Sequence, residues 1–308
     1  MQEVNIKNKK GERMKKILII SSLTLSMLIS SDISGVSYFE FEDSFSLNRT
    51  YFTYKKDVSD DVSFKLQTDV GRLDSGVSDD RWAVYLKKAH LDWKVSQDTK
   101  ISMGMIGLNM LNVQEKTWGN RFISKSALDY YGYSATADLG FAIYHKFGEV
   151  STSFLMTNGE GYKESDVDDE NKLSVRVMMG EKKLNKNSGH NIGLVYSSLE
   201  DVTVTGFFGG WSSQSLVVGA EYSIEDNDGV ENSLSSVYLN YNLMDNLSAF
   251  VRVDDGEENK SGLGEERTLV GMIWSPVQGL DISLNQINYD LSDGTSDDAL
   301  KFTFQFKF

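Results

Sequence analysis

Large apolar residues recur at every second position through most of the chain. In the last ten residues, "ALKFTFQFKF", Leu300, Phe302, Phe304, Phe306 and Phe308 share one phase, while Ala299, Lys301, Thr303, Gln305 and Lys307 share the other. Side chains of an extended strand alternate faces, so this segment predicts a strand with one apolar and one polar face. The same period sets Val62, Phe64, Leu66 and Val70 of "VSFKLQTDVG" against Ser63, Lys65, Gln67 and Asp69. It returns in "KKAHLDWKV", "KLSVRVMMG", "SVYLNYNL", "LSAFVRVDD" and "LDISLNQINY", a long series of half-buried strands. In a soluble sandwich a second sheet would cover such faces; the other possible cover is lipid.

The connections decide between these. Tight polar turns at 58–62, 96–99, 147–150, 244–246 and 275–279 take turns with longer acidic or Gly-rich segments at 73–80, 109–128, 158–171, 225–232, 255–266 and 291–298. A short-turn end and a long-loop end predict a transmembrane barrel with periplasmic turns and extracellular loops. Closure is also required if the apolar face meets hydrocarbon, because an open sheet edge cannot be left unpaired there. The fold class expected is all-β, an antiparallel up-and-down transmembrane barrel. Sixteen strands of about ten residues fit the length, beginning with a short "VSYFEFE"; fourteen also satisfies the even-number rule. The stretch 184–223 divides in more than one way. Trp82, Val84 and Leu86 are out of phase with Leu91 and Trp93, which a bulge, or a strand top standing clear of the membrane, would explain. Aromatic residues near strand ends, among them Tyr38, Phe39, Tyr51, Phe52, Trp82, Trp93, Tyr130, Tyr131, Tyr133, Trp211, Trp274 and Tyr289, are candidates for interfacial girdles.

Composition sharpens this picture. The 308 residues include no Cys and one Pro, so neither a disulfide framework nor a Cys-based metal site is available. "MKKILIISSLTLSMLIS" has two lysines, an apolar run and small residues after it, the pattern of a secretory signal peptide. Residues 1–35 are therefore read as an N-terminal extension plus signal, with Met14 the expected true start and cleavage after Gly35 or a few residues earlier. Residues 36–308 form the single barrel domain. The chain carries a net charge of −14, and the signal takes basic residues with it, so nucleic acid is excluded as a partner.

The signal, the hairpin rhythm and the terminal strand ending on Phe308 together resemble Gram-negative outer-membrane β-barrel proteins. That resemblance implies that Phe304, Phe306 and Phe308 belong to the signal read by the barrel assembly machinery. Residues 120–162, with Arg121 and Lys125 leading to an Asn-Gly-x-Gly turn at Asn158 to Gly161, resemble phosphate-selective-type porins. The likeness implies a loop folded into the lumen, with Arg121 and Lys125 at the constriction. The dense Lys and Arg ladder expected for phosphate selectivity is thinner here and mixed with acids.

If the odd-phase apolar residues face lipid, the lumen receives Lys65, Lys88, Lys94, Arg176, Arg252, Asp69, Asp92 and Asp254, with His90, Lys301, Lys307 and Asp281. Such a mixed interior suits water and small solutes. Arg121 and Lys125 are four apart, so a helical turn would place both on one face and attract anions. The acidic loops lack the spacing of a Ca²⁺ loop, so no metal is assigned, and no cofactor is expected. His90, His145 and His190 form no nucleophile–base pair, so no catalytic residue is assigned. The expected function is an outer-membrane porin for passive diffusion of small hydrophilic solutes or inorganic ions. Its implied partners are outer-membrane lipid and the assembly machinery, with a homotrimer left open. The alternatives are a non-channel adhesin or structural anchor, and a barrel-embedded hydrolase.

Overall fold

The computed structural model describes residues 31–72, 82–164, 169–257 and 264–308. Sixteen strands form one closed barrel in which every neighbour in sequence is a neighbour in space. They are β1 (Ser31–Phe41), β2 (Phe45–Asp57), β3 (Val62–Arg72), β4 (Trp82–Lys94), β5 (Thr99–Gly107), β6 (Ala137–Phe147), β7 (Val150–Thr157) and β8 (Lys172–Gly180). The second half comprises β9 (Gly189–Leu199), β10 (Val202–Ser212), β11 (Leu216–Asn227), β12 (Val230–Met244), β13 (Leu247–Glu257), β14 (Gly264–Val277), β15 (Leu280–Leu291) and β16 (Ser296–Lys307). Two short helices, α1 (Asn112–Trp118) and α2 (Ala127–Tyr130), lie in the connection between β5 and β6.

The expected count of sixteen and the antiparallel up-and-down order hold, and the ambiguous stretch resolves into β9, β10 and β11. The phase break in β4 is a bulge: Gln67 pairs with Lys88 while Thr68 pairs with Leu86, so Lys87 is inserted between them. Three expected boundaries are corrected. β1 starts at Ser31, ahead of "VSYFEFE", and Ser31 to Gly35 pair with Lys56 to Phe52. The expected loop 225–232 is a two-residue hairpin, Asp228 and Gly229 with φ of 51° and 83°. Two successive positive φ values give the tight turn whose twist suits antiparallel strands, and Asp-Gly tolerates it. The expected loop 291–298 shortens to 292–295, because β16 begins at Ser296. Residues 73–81 and 258–263 lie outside the described residues, as does the expected signal before Ser31.

The girdle expectation divides. Phe52, Trp82, Trp93, Trp211 and Trp274 stand exposed on the outer surface, whereas Tyr38 and Tyr51 are buried inside, as are Tyr131 and Tyr133 of the β5–β6 connection. His145 also faces outward in phase with Ile143 and Phe147, its ring 4.1 Å from that of Phe147.

Closure is made by β1 and β16, from Val36 opposite Lys307 to Phe41 opposite Phe302. Beyond the strand proper, Gly35 N donates to Phe308 O at 3.0 Å and Phe308 N donates to Gly35 O at 3.1 Å. A Cβ on Gly35 would stand 2.3 Å from the Phe308 ring, so the terminal aromatic lies across the bare glycine backbone on the outer face. Deleting Phe308 removes both hydrogen bonds and this contact while leaving the lumen untouched. The expected outcome is a reduced yield of heat-modifiable barrel on electrophoresis, with unchanged unit conductance in the molecules that fold; equal yield would refute the role of this seam in assembly.

Candidate functional site in the lumen

Inward positions carry the polar phase, and the 29-residue connection 108–136 folds in among them. Its burial is that of a core: Met110, Leu111, Val113, Leu128, Tyr131 and Tyr133 pack with Met178, Val195, Val204, Phe208 and Leu234 of the wall. A second cluster joins Trp118, Phe122 and Ile123 to Tyr38, Tyr238, Phe250, Leu269, Ile273 and Ile287. The Trp118 ring meets Tyr238 at 5.3 Å and Phe250 at 5.8 Å, both edge-on. The wall from β8 to β15 therefore exchanges lumen polarity for packing where the connection lies against it.

Directional bonds fix the register of that packing. Tyr238 Oη donates to Gln114 O at 3.3 Å, Asn240 Nδ2 to Trp118 O at 3.0 Å, and Tyr133 Oη to Ser233 O at 3.1 Å. Arg252 Nη1 donates to Lys125 O at 2.7 Å and Arg267 Nη2 to Ser124 Oγ at 3.0 Å. Both guanidiniums converge on Asp254, Arg252 Nε on Oδ1 and Arg267 Nη2 on Oδ2, each at 2.7 Å. The side chains of Arg252 and Asp254 are fully buried, so each charge depends on the others for its solvation. From the turn end, the β8–β9 turn enters as well: Leu184 is buried, and Asn185 N donates to Lys116 O at 3.1 Å.

Arg121 and Lys125 lie between the two helices and share no helical face, which corrects the expected one-turn arrangement. Gly119 ends α1 in the left-handed region, so the chain turns before Arg121. What joins them is Asp129. Arg121 Nη1 stands 2.6 Å from Glu115 Oε2 and 2.7 Å from Asp129 Oδ2, and Lys125 Nζ stands 3.8 Å from Asp129 Oδ1. Burial pushes the Asp129 carboxyl up, but Arg121 and Lys125 outweigh it and hold it below the ordinary carboxylate range. The stabilisation from this pairing is present above the ordinary carboxylate pKa and is lost only as pH falls through the depressed one. Two cations and two anions make this a charge-balanced quartet.

The expected lumen residues separate by position. Arg176, Arg252 and Asp254 are buried beneath the connection, Arg176 bonding Asn109 O at 3.3 Å and the side chain of Asn112. Asp254 is a buried residue of β13. On the wall away from the helices, Lys65, Lys88, Asp69 and Asp92 share the inward phase, and Asp92 takes Lys100 Nζ at 3.0 Å. Lys94 is exposed at the turn end of β4.

Residues that sequence reasoning missed stand on the same wall. Arg49 shares the inward phase with Tyr51, Thr53 and Lys55 of β2, and Lys87 is the bulged residue of β4. Lys87 Nζ donates to Tyr51 Oη at 2.8 Å and sits 4.7 Å from the Tyr51 centroid and 4.8 Å from that of Tyr162. Tyr162 Oη donates to Asp69 Oδ2 at 2.6 Å, and Arg49 Nε lies 3.5 Å from the same oxygen. The signal for Lys87 was the phase break itself, since an inserted residue between Leu86 and Leu91 turns both lysines inward.

No family model matches the chain, and no curated protein matches it. Solved structures do. The outer membrane channel DcaP of Acinetobacter baumannii matches with a TM-score of 0.60 at 14% identity, covering 91% of this chain and 98% of that one. An anion-selective porin from Comamonas acidovorans matches at 0.64 and 8% identity, covering 91% and 99%, and OprB of Pseudomonas putida at 0.64 and 11%, covering 94% and 96%. This chain has the porin fold. Identities this low establish the porin architecture and leave the transported solute to the residues of this lumen.

Neutralising Asp254 tests how the barrel holds its inner connection. Asp254→Asn leaves two buried guanidiniums without an anion, a loss of about 3–5 kcal/mol. The half-exposed Asp92→Asn should cost about 1 kcal/mol or less. Urea unfolding of the refolded barrel should rank them in that order, with raised open-channel current noise for Asp254→Asn only; equal midpoints would refute the anchoring role.

Proposed function

We propose that the chain is an outer-membrane porin that lets small hydrophilic solutes diffuse passively, with the connection 108–136 as its constriction and a preference for anions. One observation carries the sign of selectivity. The wall facing the connection presents Arg49, Lys55, Lys65, Lys87 and Lys88 along adjacent strands, with Asp69 and Asp92 as the acids among them, whereas the connection itself contributes the balanced Glu115, Arg121, Lys125 and Asp129 quartet. A lumen bordered by excess fixed positive charge lowers the energy of anions within it and raises that of cations.

A signal peptide cleaved ahead of Ser31 would deliver this barrel with β1 intact, which favours the earlier of the expected cleavage positions. The lipid-facing band, the seam at Phe308 and the porin fold support insertion in the outer membrane by the assembly machinery. The channel reading is preferred to a hydrolase because the best-placed hydroxyl, Ser102, donates to Asp92, whose carboxylate lies 3.9 Å from His90 Nε2. A nucleophile needs its proton accepted by a base, and here the hydroxyl is committed to a carboxylate beside Lys100.

Reversal potentials in a KCl gradient across planar bilayers test this reading. The native chain should reverse on the anion side, and Lys87→Glu with Lys88→Glu should move the potential toward cations by more than Arg121→Glu does. A native channel that reverses on the cation side, or a membrane that stays closed at all voltages, would refute it.

A further inference from the structure

On the loop side of the constriction the lumen widens into a cavity of about 470 Å³ between the tip of the connection and the strands of the seam. Its walls divide by chemistry. Arg49 of β2 and Lys125 of the connection both line it, Lys125 with about half of its side chain exposed. Arg121, Arg267 and Lys301, which also line it, hold carboxylates at 2.6–3.1 Å, whereas Arg49 stands 3.5 Å from Asp69 and Lys125 3.8 Å from Asp129. The remaining lining is mixed: Glu40, Asn48, Ser124 and Tyr130 are polar, while Tyr38, Phe122, Ile123 and Ile287 form an apolar floor of one hydrophobic cluster against which Tyr289 packs.

A hydrated inorganic anion gains nothing from that floor. Chloride or phosphate is served by donors and fixed charge, and an apolar surface beside water costs free energy unless a solute covers it. A solute with a planar apolar body and one negative end gains on both counts. Its ring covers the partly exposed Tyr289 ring beside the buried Ile287, and its charge meets Lys125 and Arg49. The cavity is of the size that takes small organic ligands.

Building on the anion preference, we infer that this vestibule is a binding site for aromatic carboxylates, held with the ring on the Tyr289–Ile287 floor and the carboxylate toward Lys125 and Arg49. Bound there, such a solute stands directly above the cationic wall that leads inward, at Arg49, Tyr51 and Lys87.

Block of the chloride current in planar bilayers, with benzoate, acetate or inorganic phosphate added on the loop side at constant ionic strength, tests this on the full chain. Benzoate should half-block at a concentration about tenfold below either of the others, the expectation for burying roughly half of a phenyl ring. Tyr289→Ala should raise that concentration about fivefold, Tyr289→Phe should restore it, and Lys125→Gln should weaken benzoate and acetate in equal proportion. Equal block by benzoate and acetate, or by benzoate and neutral benzyl alcohol, overturns the inference. Because a wall variant can fail to fold, the comparison of benzoate with acetate on the native chain is decisive without it. An anion-side reversal potential with no benzoate preference overturns this site alone, whereas a cation-side reversal potential overturns the anion preference on which it rests.

Discussion

The whole molecule depends on the pairing of backbone groups that have no water to turn to. Within hydrocarbon an unpaired N–H or C=O costs several kcal/mol, so a sheet there must close on itself. Closure fixes two faces at once. The outer one must be apolar, and the inner one is free to be anything that water or packing can satisfy. The seam between β1 and β16 is where that condition is met last, and the reciprocal bonds of Gly35 and Phe308 extend the ladder to the final residue of the chain.

Inside the barrel the same freedom is used twice. On the side of β8 to β15 the inner face behaves as a protein core, with Val204, Phe208, Leu234 and Phe250 receiving the connection, and with Asp254, Arg252 and Arg267 buried as a mutually compensated group. Around β2 to β4 the inner face remains polar, and Lys87 is kept among tyrosine rings and beside Asp69. One half of the lumen thus stabilises the position of the loop, and the other half sets the field that a solute meets. Arg121 pairs within the connection itself, since its carboxylate partners Glu115 and Asp129 both belong to it. Moving the connection moves a balanced set of charges, so a shift of that loop changes the width of the passage more than its sign.

How much of this the sequence revealed follows from which face was diagnostic. Strands such as β8 and β16 were legible because outward apolar residues alternated with polar inward ones. β10 was not, because Phe207 faces lipid and Phe208 faces the buried connection, so adjacent residues are apolar for different reasons. The acidic run at 225–232 was read as a loop because charged residues continue past the apolar band, although the strands and their Asp-Gly hairpin continue with them. Arg49 was hidden in "SLNRTYFTYKKD", where Thr and Tyr occupy both phases. The inward tyrosines were read as girdle residues because ring chemistry at a membrane interface and in a wet lumen is the same.

Net charge was the least informative property about the passage. The chain is acidic overall, yet Lys and Arg outnumber Asp on the inner wall of β2 to β4, because many acidic residues lie in the connections and on other strands while Arg49, Lys55, Lys65, Lys87 and Lys88 take inward positions here. Screening separates the two populations, since charges on the outer loops more than about 8–10 Å from the lumen act weakly at physiological ionic strength. Charges inside a low-dielectric tube are screened less and act at close range on any ion that enters. On the proposed reading, ion preference rests on a few inward phases and on the bulge in β4, which turns Lys87 and Lys88 inward together.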